Sequence, residues 1–232
     1  MPVMKLYDLA GAEAERRFSP YCWRTKLALA HKGLAVETLP WRFTDKDQIA
    51  FSGQARVPVL VDGDDIVFDS WTIANHLETK YPATPSLFGG EAARSLTRFF
   101  NHWTDRVVQP ALAPLVLIDI YAHIAAKDRD YFRSSRESAF GSTLEQISAD
   151  RDSKVAAFRQ LLEPLRMQLQ QQHYVAGAAP MYADYIVFSA FQWARAISPF
   201  KLLAADDVVA HWRQRMLAAC GGIAGSAPGY PV

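Results

Sequence analysis

The pattern of apolar and polar positions changes from strand-like to helical along this chain. In the first 81 residues, runs at 4–9, 36–39, 57–61 and 66–68 have the short length and the apolar or β-branched content of strands. The last two runs flank a polar turn at 62–65 that is rich in Asp and Gly, which predicts an antiparallel hairpin. We therefore expect four strands in this part of the chain.

Helical patterns alternate with these strands. A helix is predicted over 20–32, where apolar residues fall on one stripe before Gly33. The polar segment 44–53 has weak helical character, and a further helix begins near Ser70 and ends before Pro82. The resulting order βαβαββα is that of a thioredoxin-like α/β domain.

A turn-rich segment at 83–90 divides the chain, because strand patterns nearly vanish after it and helical stripes recur. We predict a thioredoxin-like domain at 1–82 and an all-helical domain at 91–232. Pro110 and Pro114 are expected to break or kink the first long helical region.

Two segments of the helical part have an unusual composition. The segment 127–154 is charged and rich in serine, which favours a surface excursion of short helix and loop. The tail 221–232 is rich in Gly and Pro, and we expect it to lie over the surface or to fray.

Composition and charge exclude several classes of function. The 25 Lys and Arg balance 24 Asp and Glu, and a formal charge of +1 argues against nucleic-acid binding by bulk electrostatics. No run approaches the roughly 18 apolar residues of a membrane span, and residues 1–9 lack the core of a secretory signal. Cys22 and Cys220 could pair, but a reducing compartment is the simpler interpretation. We expect a cytoplasmic protein.

Ser19 is the first candidate for chemistry. It precedes Pro20 and an amphipathic run, which predicts the N-cap of a helix. A hydroxyl there lies at the positive end of the helix dipole, beside unpaired backbone N–H groups, where an anion such as a thiolate is stabilised. Residues 19–22 read Ser-Pro-Tyr-Cys and would be a dithiol redox motif if position 19 were cysteine. Most capping serines only cap, so the functional interpretation depends on the position after the first strand.

Two further segments complement Ser19. If the bond between Val57 and Pro58 were cis, the Val57 backbone would face outward to pair with an extended peptide, although most X-Pro bonds are trans. Asp69 and Ser70 open a helix whose N–H groups can bind a carboxylate, while the Asp69 side chain can take an amino group. Each feature alone also fits a purely structural role. Together, a thiol, a peptide backbone and an α-amino acid head group describe glutathione.

The chain resembles the cytosolic glutathione transferase family over most of its length. The matching motifs are Ser-Pro-Tyr-Cys-Trp-Arg at 19–24, Arg-Val-Pro at 56–58, Asp-Ser at 69–70 and Ala-Asp at 183–184. The pattern Ser-x-x-x-Trp-Arg is similar to the zeta-type and related serine classes. Motifs between 61 and 90 look most like bacterial glutathione-dependent β-etherase relatives and the fungal transferases near them.

The resemblance implies a catalytic role for Ser19, whose hydroxyl would donate a hydrogen bond to the glutathione sulfur and favour its thiolate. A free thiol has a pKa near ~8.5, and lowering it by about two units requires roughly 2.7 kcal/mol of thiolate stabilisation. One hydroxyl bond and a helix N-terminus together are of this magnitude.

The resemblance also implies which residues bind glutathione. Val57 would bond the cysteinyl backbone, and Asp69 and Ser70 would take the γ-glutamyl group. Arg56 and Gln54 would neutralise glutathione carboxylates.

Two positions depart from the family pattern. Met181 stands where the family usually has Ser or Thr as a helix cap, and Asp184 would have to compensate. Cys22 occupies the second cysteine position of the redox motif, and a thiol that faces the core is usually inert. We also expect Arg24 to form a structural ion pair, and Tyr7 to serve packing rather than catalysis.

The second substrate is expected to bind between the two domains. Its pocket would be lined by the loop 9–18, Tyr21 and the first helices after the linker. Candidates chosen by helical position are Phe99, Asn101, Trp103, Tyr121 and Trp193.

We therefore expect a glutathione transferase that uses glutathione as cosubstrate against a small hydrophobic, aromatic electrophile. Aryl ether cleavage is one candidate reaction. A glutathione-dependent isomerase of the zeta type and a non-catalytic glutathione- or ligand-binding module remain alternatives. The six histidines show no metal-binding pattern, so no metal is expected. The family usually dimerises, which implies a homodimer.

Overall fold

The structure, a computed structural model that describes residues 3–232, contains a four-stranded mixed sheet followed by a helical domain. The strands are β1 (Met4–Leu9), β2 (Val36–Trp41), β3 (Val59–Asp62) and β4 (Asp65–Phe68). They lie in the order β2-β1-β3-β4, with β1 and β2 parallel and β3 antiparallel to both of its neighbours. The predicted hairpin is confirmed, because Asp62 pairs with Asp65 at the turn between β3 and β4.

Eleven α-helices lie within residues 3–232. They are α1 (Pro20–His31), α2 (Ser70–Lys80), α3 (Glu91–Trp103), α4 (Gln109–His123), α5 (Arg129–Phe140), α6 (Leu144–Ile147), α7 (Arg151–Leu161), α8 (Glu163–Gln171), α9 (Tyr182–Ile197), α10 (Val208–Ala218) and α11 (Ile223–Ser226). Short 3₁₀ helices at Lys46–Ser52, Ala126–Asp128 and Cys220–Gly222 and a π-helical turn at Thr104–Val108 connect them. The weakly helical segment 44–53 is thus largely a 3₁₀ helix. No helix among the described residues is long and apolar enough to cross a membrane.

Helix α9 is the centre of the helical domain, and nearly all of its residues are buried. Trp212 of α10 packs edge-on against Phe188 and Phe191 of α9. The α9 N-terminus also reaches the sheet domain, because the Tyr182 hydroxyl donates to the Ser70 carbonyl at 2.7 Å. This bond ties the start of α2 to the helical domain.

The cap of α9 is provided by Asp184, as the sequence required. Met181 makes no side-chain cap hydrogen bond. The fully buried Asp184 carboxylate instead accepts from the Met181 amide at 3.2 Å, from the Val175 amide at 2.7 Å and from Trp212 Nε1 at 2.9 Å. A buried carboxylate is stable only with such a set of donors.

The first helical region continues through both of its prolines, because Thr104, Val108 and Gln109 keep right-handed helical dihedrals. The π-helical turn ends at Val108, and Pro110 lies in the first turn of α4, where its missing N–H costs nothing. Pro114 stands inside α4, which nevertheless continues to His123. The expected break at Pro114 is therefore absent.

The segment 127–154 is more ordered and more buried than a surface excursion. It is largely helical, and its Phe132 and Leu144 side chains are fully buried. The composition concealed this, because its many charged and serine residues cover a small number of buried apolar positions. The tail lies over the surface as expected, with the Tyr230 amide bonded to the Arg195 carbonyl at 2.8 Å.

Candidate functional site

Ser19 is the N-cap of α1, as its position before Pro20 predicts. Its backbone is extended, with φ −66° and ψ 123°, and its Oγ accepts a hydrogen bond from the Cys22 amide at 3.2 Å. The residue is only 4% exposed. Within residues 3–232 its hydroxyl donates to no acceptor, so the proton remains available to a ligand at the helix N-terminus.

Cys22 is fully buried one turn into α1. Burial raises the pKa of its thiol well above the usual value, and the negative charge of Asp8 acts in the same direction. The thiolate is the reactive form of cysteine, so this environment makes Cys22 inert. Cys22 and Cys220 are both free, and no disulfide joins them.

A cavity of about 340 Å³ lies beside the start of α2, and we call it the polar cavity. Its lining comprises Tyr21, Gln54, Arg56, Val57, Pro58, Phe68, Asp69, Ser70 and Asp105. All five residues that the resemblance assigns to glutathione binding therefore border one space. Ser19 is not among its lining residues.

The structure determines the isomer of the bond between Val57 and Pro58, which the sequence left open. The peptide bond between Val57 and Pro58 is cis. Val57 precedes β3, which begins at Val59, so its N–H and C=O are outside the strand ladder. Both groups belong to a residue that lines the polar cavity.

Asp69 caps α2 in a backbone conformation that few residues adopt. Its φ is 68°, which lies in the left-handed region that Asp tolerates better than most residues. Its Oδ1 accepts from the Thr72 amide at 2.9 Å and from the Thr72 hydroxyl at 3.2 Å. The first N–H groups of α2, beginning at Ser70, have no intrahelical acceptor and favour an anion.

Asp105 adds an acidic group to the polar cavity that sequence reasoning missed. The fully buried Arg24 of α1 donates to Asp105 Oδ1 at 2.7 Å and to Asn101 Oδ1 at 3.0 Å. It also donates to the Ser189 hydroxyl of α9 at 3.1 Å. The expected ion pair of Arg24 is confirmed, and it connects α1 with both the π-helical turn and α9.

A second cavity of about 260 Å³, which we call the aromatic cavity, lies between the sheet domain and helices α4, α5 and α9. It is lined by Leu9, Phe18, Ser19, Pro20, Tyr21, Phe43, Gln109, Ala113, Leu117, Ile120, Phe132, Arg136, Phe140 and Trp193. Ser19 thus faces this space, and Tyr21 lines both cavities. The two cavities adjoin at Tyr21.

The residues expected to line the second-substrate pocket lie in different parts of the structure. Tyr21 and Trp193 line the aromatic cavity, whereas the other four candidates do not. Phe99 is 66% exposed on α3, and Asn101 belongs to the Arg24 network. Trp103 and Tyr121 pack against the core.

The pattern that would have identified three of the missed residues was present in the segment 127–154. Phe132, Arg136 and Phe140 are spaced by four residues and so share one face of α5. Phe132, Phe140 and Phe43 are the aromatic residues of this cavity that the sequence analysis did not name. Because charged residues surround this stripe in the sequence, the stripe was interpreted as part of a surface segment.

Arg136 is the cationic group of the aromatic cavity. Its guanidinium lies over the rings of Phe132 and Phe43, at 5.1 and 5.7 Å from their centroids. Burial lowers the pKa of Arg136, and the charge of Arg56 acts in the same direction. A guanidinium remains protonated at neutral pH despite such a shift, so the cavity holds a positive charge beside aromatic surfaces.

One group of residues with metal-ligand chemistry occurs within residues 3–232. Asp62, Asp65 and His76 bring their ligand atoms within 4.8 Å of one another. The Lys80 ammonium already lies among them, 2.7 Å from Asp65 and 3.0 Å from Asp62. We interpret the group as an ion-pair network that holds the β3–β4 hairpin against α2.

Models of two protein families match the sheet domain and the helical domain separately. The model of the glutathione S-transferase N-terminal domain matches residues 14–85, and that of the C-terminal domain matches residues 95–218. The fold is thus a thioredoxin-like sheet domain followed by a helical domain. The chain belongs to the glutathione S-transferase family.

Individual relatives agree with this assignment. Glutathione S-transferase 4 of Zea mays is 26% identical over 226 residues, which cover 94% of this chain and 89% of the maize protein. A zeta-class glutathione S-transferase of Euphorbia esula is 30% identical over 131 residues, which cover 54% of this chain and 53% of that protein. The crystal structure of a Ceriporiopsis subvermispora glutathione S-transferase in complex with glutathione superposes with a TM-score of 0.83 at 23% identity, covering 94% of this chain and 96% of the other.

Proposed function

We propose that this transferase activates the thiol of glutathione for attack on a small hydrophobic, aromatic electrophile. The observation that carries the proposal is the adjacency of the two cavities. The polar cavity offers charged and hydrogen-bonding groups, the aromatic cavity offers rings, and Tyr21 borders both. A ligand thiol at this junction would lie near Ser19.

In the polar cavity, we assign the γ-glutamyl end of glutathione to the start of α2. Its carboxylate would accept from the first N–H groups of α2 at Ser70, and its ammonium would face Asp69. Val57 would pair with the cysteinyl backbone, and Arg56 and Gln54 would neutralise carboxylate groups. The support is that all five residues line one space.

At the junction, Ser19 is the proposed catalytic residue. Its Oγ already accepts from the Cys22 amide, which orients the hydroxyl, and its own proton is free to be donated to the sulfur. The α1 N-terminus contributes positive potential at the same point. The nucleophile belongs to glutathione, and the protein supplies position and electrostatic stabilisation.

For the second substrate, Arg136 favours an electrophile that releases an anion. In aryl ether cleavage the thiolate attacks the carbon that bears the ether oxygen, a C–S bond forms, the C–O bond breaks and a phenolate leaves. Arg136 would stabilise the negative charge that develops on this oxygen, and the phenolate then takes a proton from water. The phenyl ring would remain against Phe132 and Phe43.

A zeta-type isomerase is the second candidate, and a specific observation favours it. Zeta-class proteins are among the relatives of this chain, and Arg136 would equally hold a carboxylate of a maleyl acid. In that reaction the glutathione thiolate adds to the double bond, the bond rotates and glutathione is released. A non-catalytic glutathione-binding module is the third candidate.

The experiment that separates these functions begins with glutathione alone. Thiolate formation at neutral pH, seen as an ultraviolet absorbance on mixing, would support an enzyme. Binding without this signal would leave only the binding module. Aryl ethers, aryl halides and maleyl acids are then supplied in parallel, and product analysis identifies the class that turns over.

Arg136→Met tests the leaving-group role, with Arg133→Met as the matched control. Arg133 lies one turn earlier on α5 and pairs with Glu137 and Glu145 outside the cavity. We expect Arg136→Met to lower kcat for aryl ethers about 10- to 100-fold, because a charge-assisted hydrogen bond contributes about 1.5–3 kcal/mol. Equal rates for the two variants would exclude Arg136 from the reaction.

We further propose a homodimer that forms through α3. Leu96 and Phe99 share one face of this helix and are 69% and 66% exposed, and Val107 continues that face. The double substitution Leu96→Glu and Phe99→Glu should yield a monomer in sedimentation velocity, whereas Met167→Glu on α8 should not. We also propose that the sheet domain spans 1–82 and that the helical domain spans 91–232. A cytoplasmic location is proposed as well, and the two free cysteines support it.

A further inference from the structure

The helical domain contains a third cavity, of about 310 Å³, which lies between α10 and the segment 200–205. This volume is at the lower edge of the usual range for ligand sites. It shares no lining residue with the polar or the aromatic cavity. Phe200, Leu202 and Leu203 give it an apolar wall, and Arg213 of α10 lies in the opposite wall.

Arg213 is 8% exposed and has no partner within residues 3–232. Its side chain takes part in none of the ion pairs or hydrogen bonds of this part of the chain, and its Nε is fully buried without an acceptor. The Nη atoms also donate to nothing but remain accessible, and the space that the residue lines is the third cavity. Arg24, which is fully buried, donates three hydrogen bonds instead.

The anionic groups near Arg213 are already engaged. Both oxygens of Asp207 bind Arg166, at 3.2 and 2.8 Å, and its Oδ1 also accepts from the Val209 amide. The main-chain oxygen of Val232 accepts from Gln214 at 2.8 Å. Lys201, whose ammonium donates to the Pro231 carbonyl at 3.0 Å, and the titratable His211 also line the cavity.

The charge on Arg213 persists despite its burial. Burial lowers the pKa of Arg213 to about 10, and the charge of Arg195 acts in the same direction, whereas the charge of Asp207 opposes both. The group is therefore protonated at neutral pH. A buried cation without a counterion is unfavourable. A bound anion would remove this cost, and a guanidinium with free Nη atoms presents the fork geometry that carboxylates fit.

We propose that the third cavity binds a small organic monocarboxylate, distinct from glutathione and from the electrophile. Its carboxylate pairs with Arg213, and its hydrocarbon part packs against Phe200, Leu202 and Leu203. A single buried cation matches a single negative charge. Few donors remain for a phosphate dianion, because Lys201 Nζ and Gln214 Nε2 already donate to main-chain oxygens.

Calorimetry and thermal unfolding of the full chain test this proposal with hexanoate, benzoate, hexanol and inorganic phosphate. We expect the two carboxylates to bind and to raise the unfolding midpoint. Hexanol, which lacks the charge, and phosphate, which lacks the apolar part, should bind at least tenfold more weakly. Equal binding of hexanoate and hexanol, or of hexanoate and phosphate, overturns the proposal without any variant.

Arg213→Met adds a second test, with Arg215→Met as its control two residues further along α10. Arg215 binds the His173 carbonyl outside the cavity. Arg213→Met should lose carboxylate binding at least tenfold, while its ligand-free midpoint stays equal to or above that of the wild type, because an unpaired buried charge is removed. A fall in the ligand-free midpoint, or unchanged hexanoate affinity, would show that Arg213 is structural.

Discussion

Replacement of Ser19 by alanine removes the hydroxyl that caps α1 and lines the aromatic cavity beside Tyr21. The Ser19 Oγ accepts from the Cys22 amide at 3.2 Å and has no acceptor for its proton, so alanine deletes both the cap and the proposed bond to sulfur. The helix N-terminus itself remains. The substitution therefore separates the hydroxyl from the helix dipole.

The expected size of the effect follows from the hydrogen bond alone. A bond to a charged acceptor contributes about 1.5–3 kcal/mol, which corresponds to about one to two pKa units of bound glutathione. If the wild-type thiol has a pKa of about 6.5, the variant value is about 7.5–8.5. At pH 7 the thiolate fraction then falls from about 0.8 to between about 0.2 and 0.03.

The assay is a pH titration of the thiolate absorbance of glutathione bound to the protein, together with the pH dependence of conjugation. Because Ser19→Ala raises the pKa, its activity should recover as the pH rises above the new value. Loss of the cap should also lower the free energy of unfolding by about 1 kcal/mol. Thr143→Ala removes the cap of α6, where Oγ1 accepts from the Gln146 amide, and is the control for this structural effect.

The reasoning is refuted if Ser19→Ala titrates at the wild-type pKa, because the hydroxyl then plays no part in thiolate stabilisation. It is also refuted if Thr143→Ala shifts the thiol pKa as strongly as Ser19→Ala does. Ser19→Thr retains the hydroxyl and should titrate close to the wild type.

Three further predictions concern the groups that hold the site in place. Arg24→Met should lower the free energy of unfolding in urea by about 3–5 kcal/mol, because it breaks a buried ion pair with Asp105; a change below about 1 kcal/mol would contradict this. Asp184→Asn should cost about 3 kcal/mol in the same assay, because an amide cannot accept all the N–H groups that the carboxylate accepts, and a neutral result would show that the cap is dispensable. Partial burial raises the pKa of Glu78, but hydrogen bonds from the Leu87 amide, from a serine hydroxyl and from a lysine outweigh it, so the net pKa is lowered from 4.5. Its contribution to stability is therefore present above about pH 4.5 and lost as the pH falls through the lowered value, and Glu78→Gln should flatten the acid limb of the unfolding midpoint plotted against pH; an unchanged acid limb would contradict the assignment.

Most of the local structure could be predicted from neighbouring residues in the chain. The cap at Ser19, the β3–β4 hairpin and the start of α2 at Asp69 each depend on interactions within a few residues. These are interactions that residue type and spacing describe directly. The grouping of the proposed glutathione contacts in the polar cavity was expected for a different reason, because one glutathione molecule would have to meet all of them.

Other features depended on how distant segments pack. The isomer of the bond before Pro58 is cis, although residue type alone favours trans. The partner of Arg24 stands 81 positions away at Asp105, and Arg136 meets Phe43 across a still longer separation. The charged composition around Arg136 concealed the stripe that lines the aromatic cavity.

Local sequence therefore predicted the helix caps and the hairpin that border the polar cavity, while tertiary packing determined which side chains line the aromatic cavity. The physical reason is the separation along the chain between the residues that interact. Helix caps and turns are stabilised by bonds between residues three or four positions apart, whereas a cavity is the space left when side chains from several elements fail to fill it. Asp207 illustrates the second case, because both of its oxygens bind Arg166, which lies 41 positions earlier in the chain.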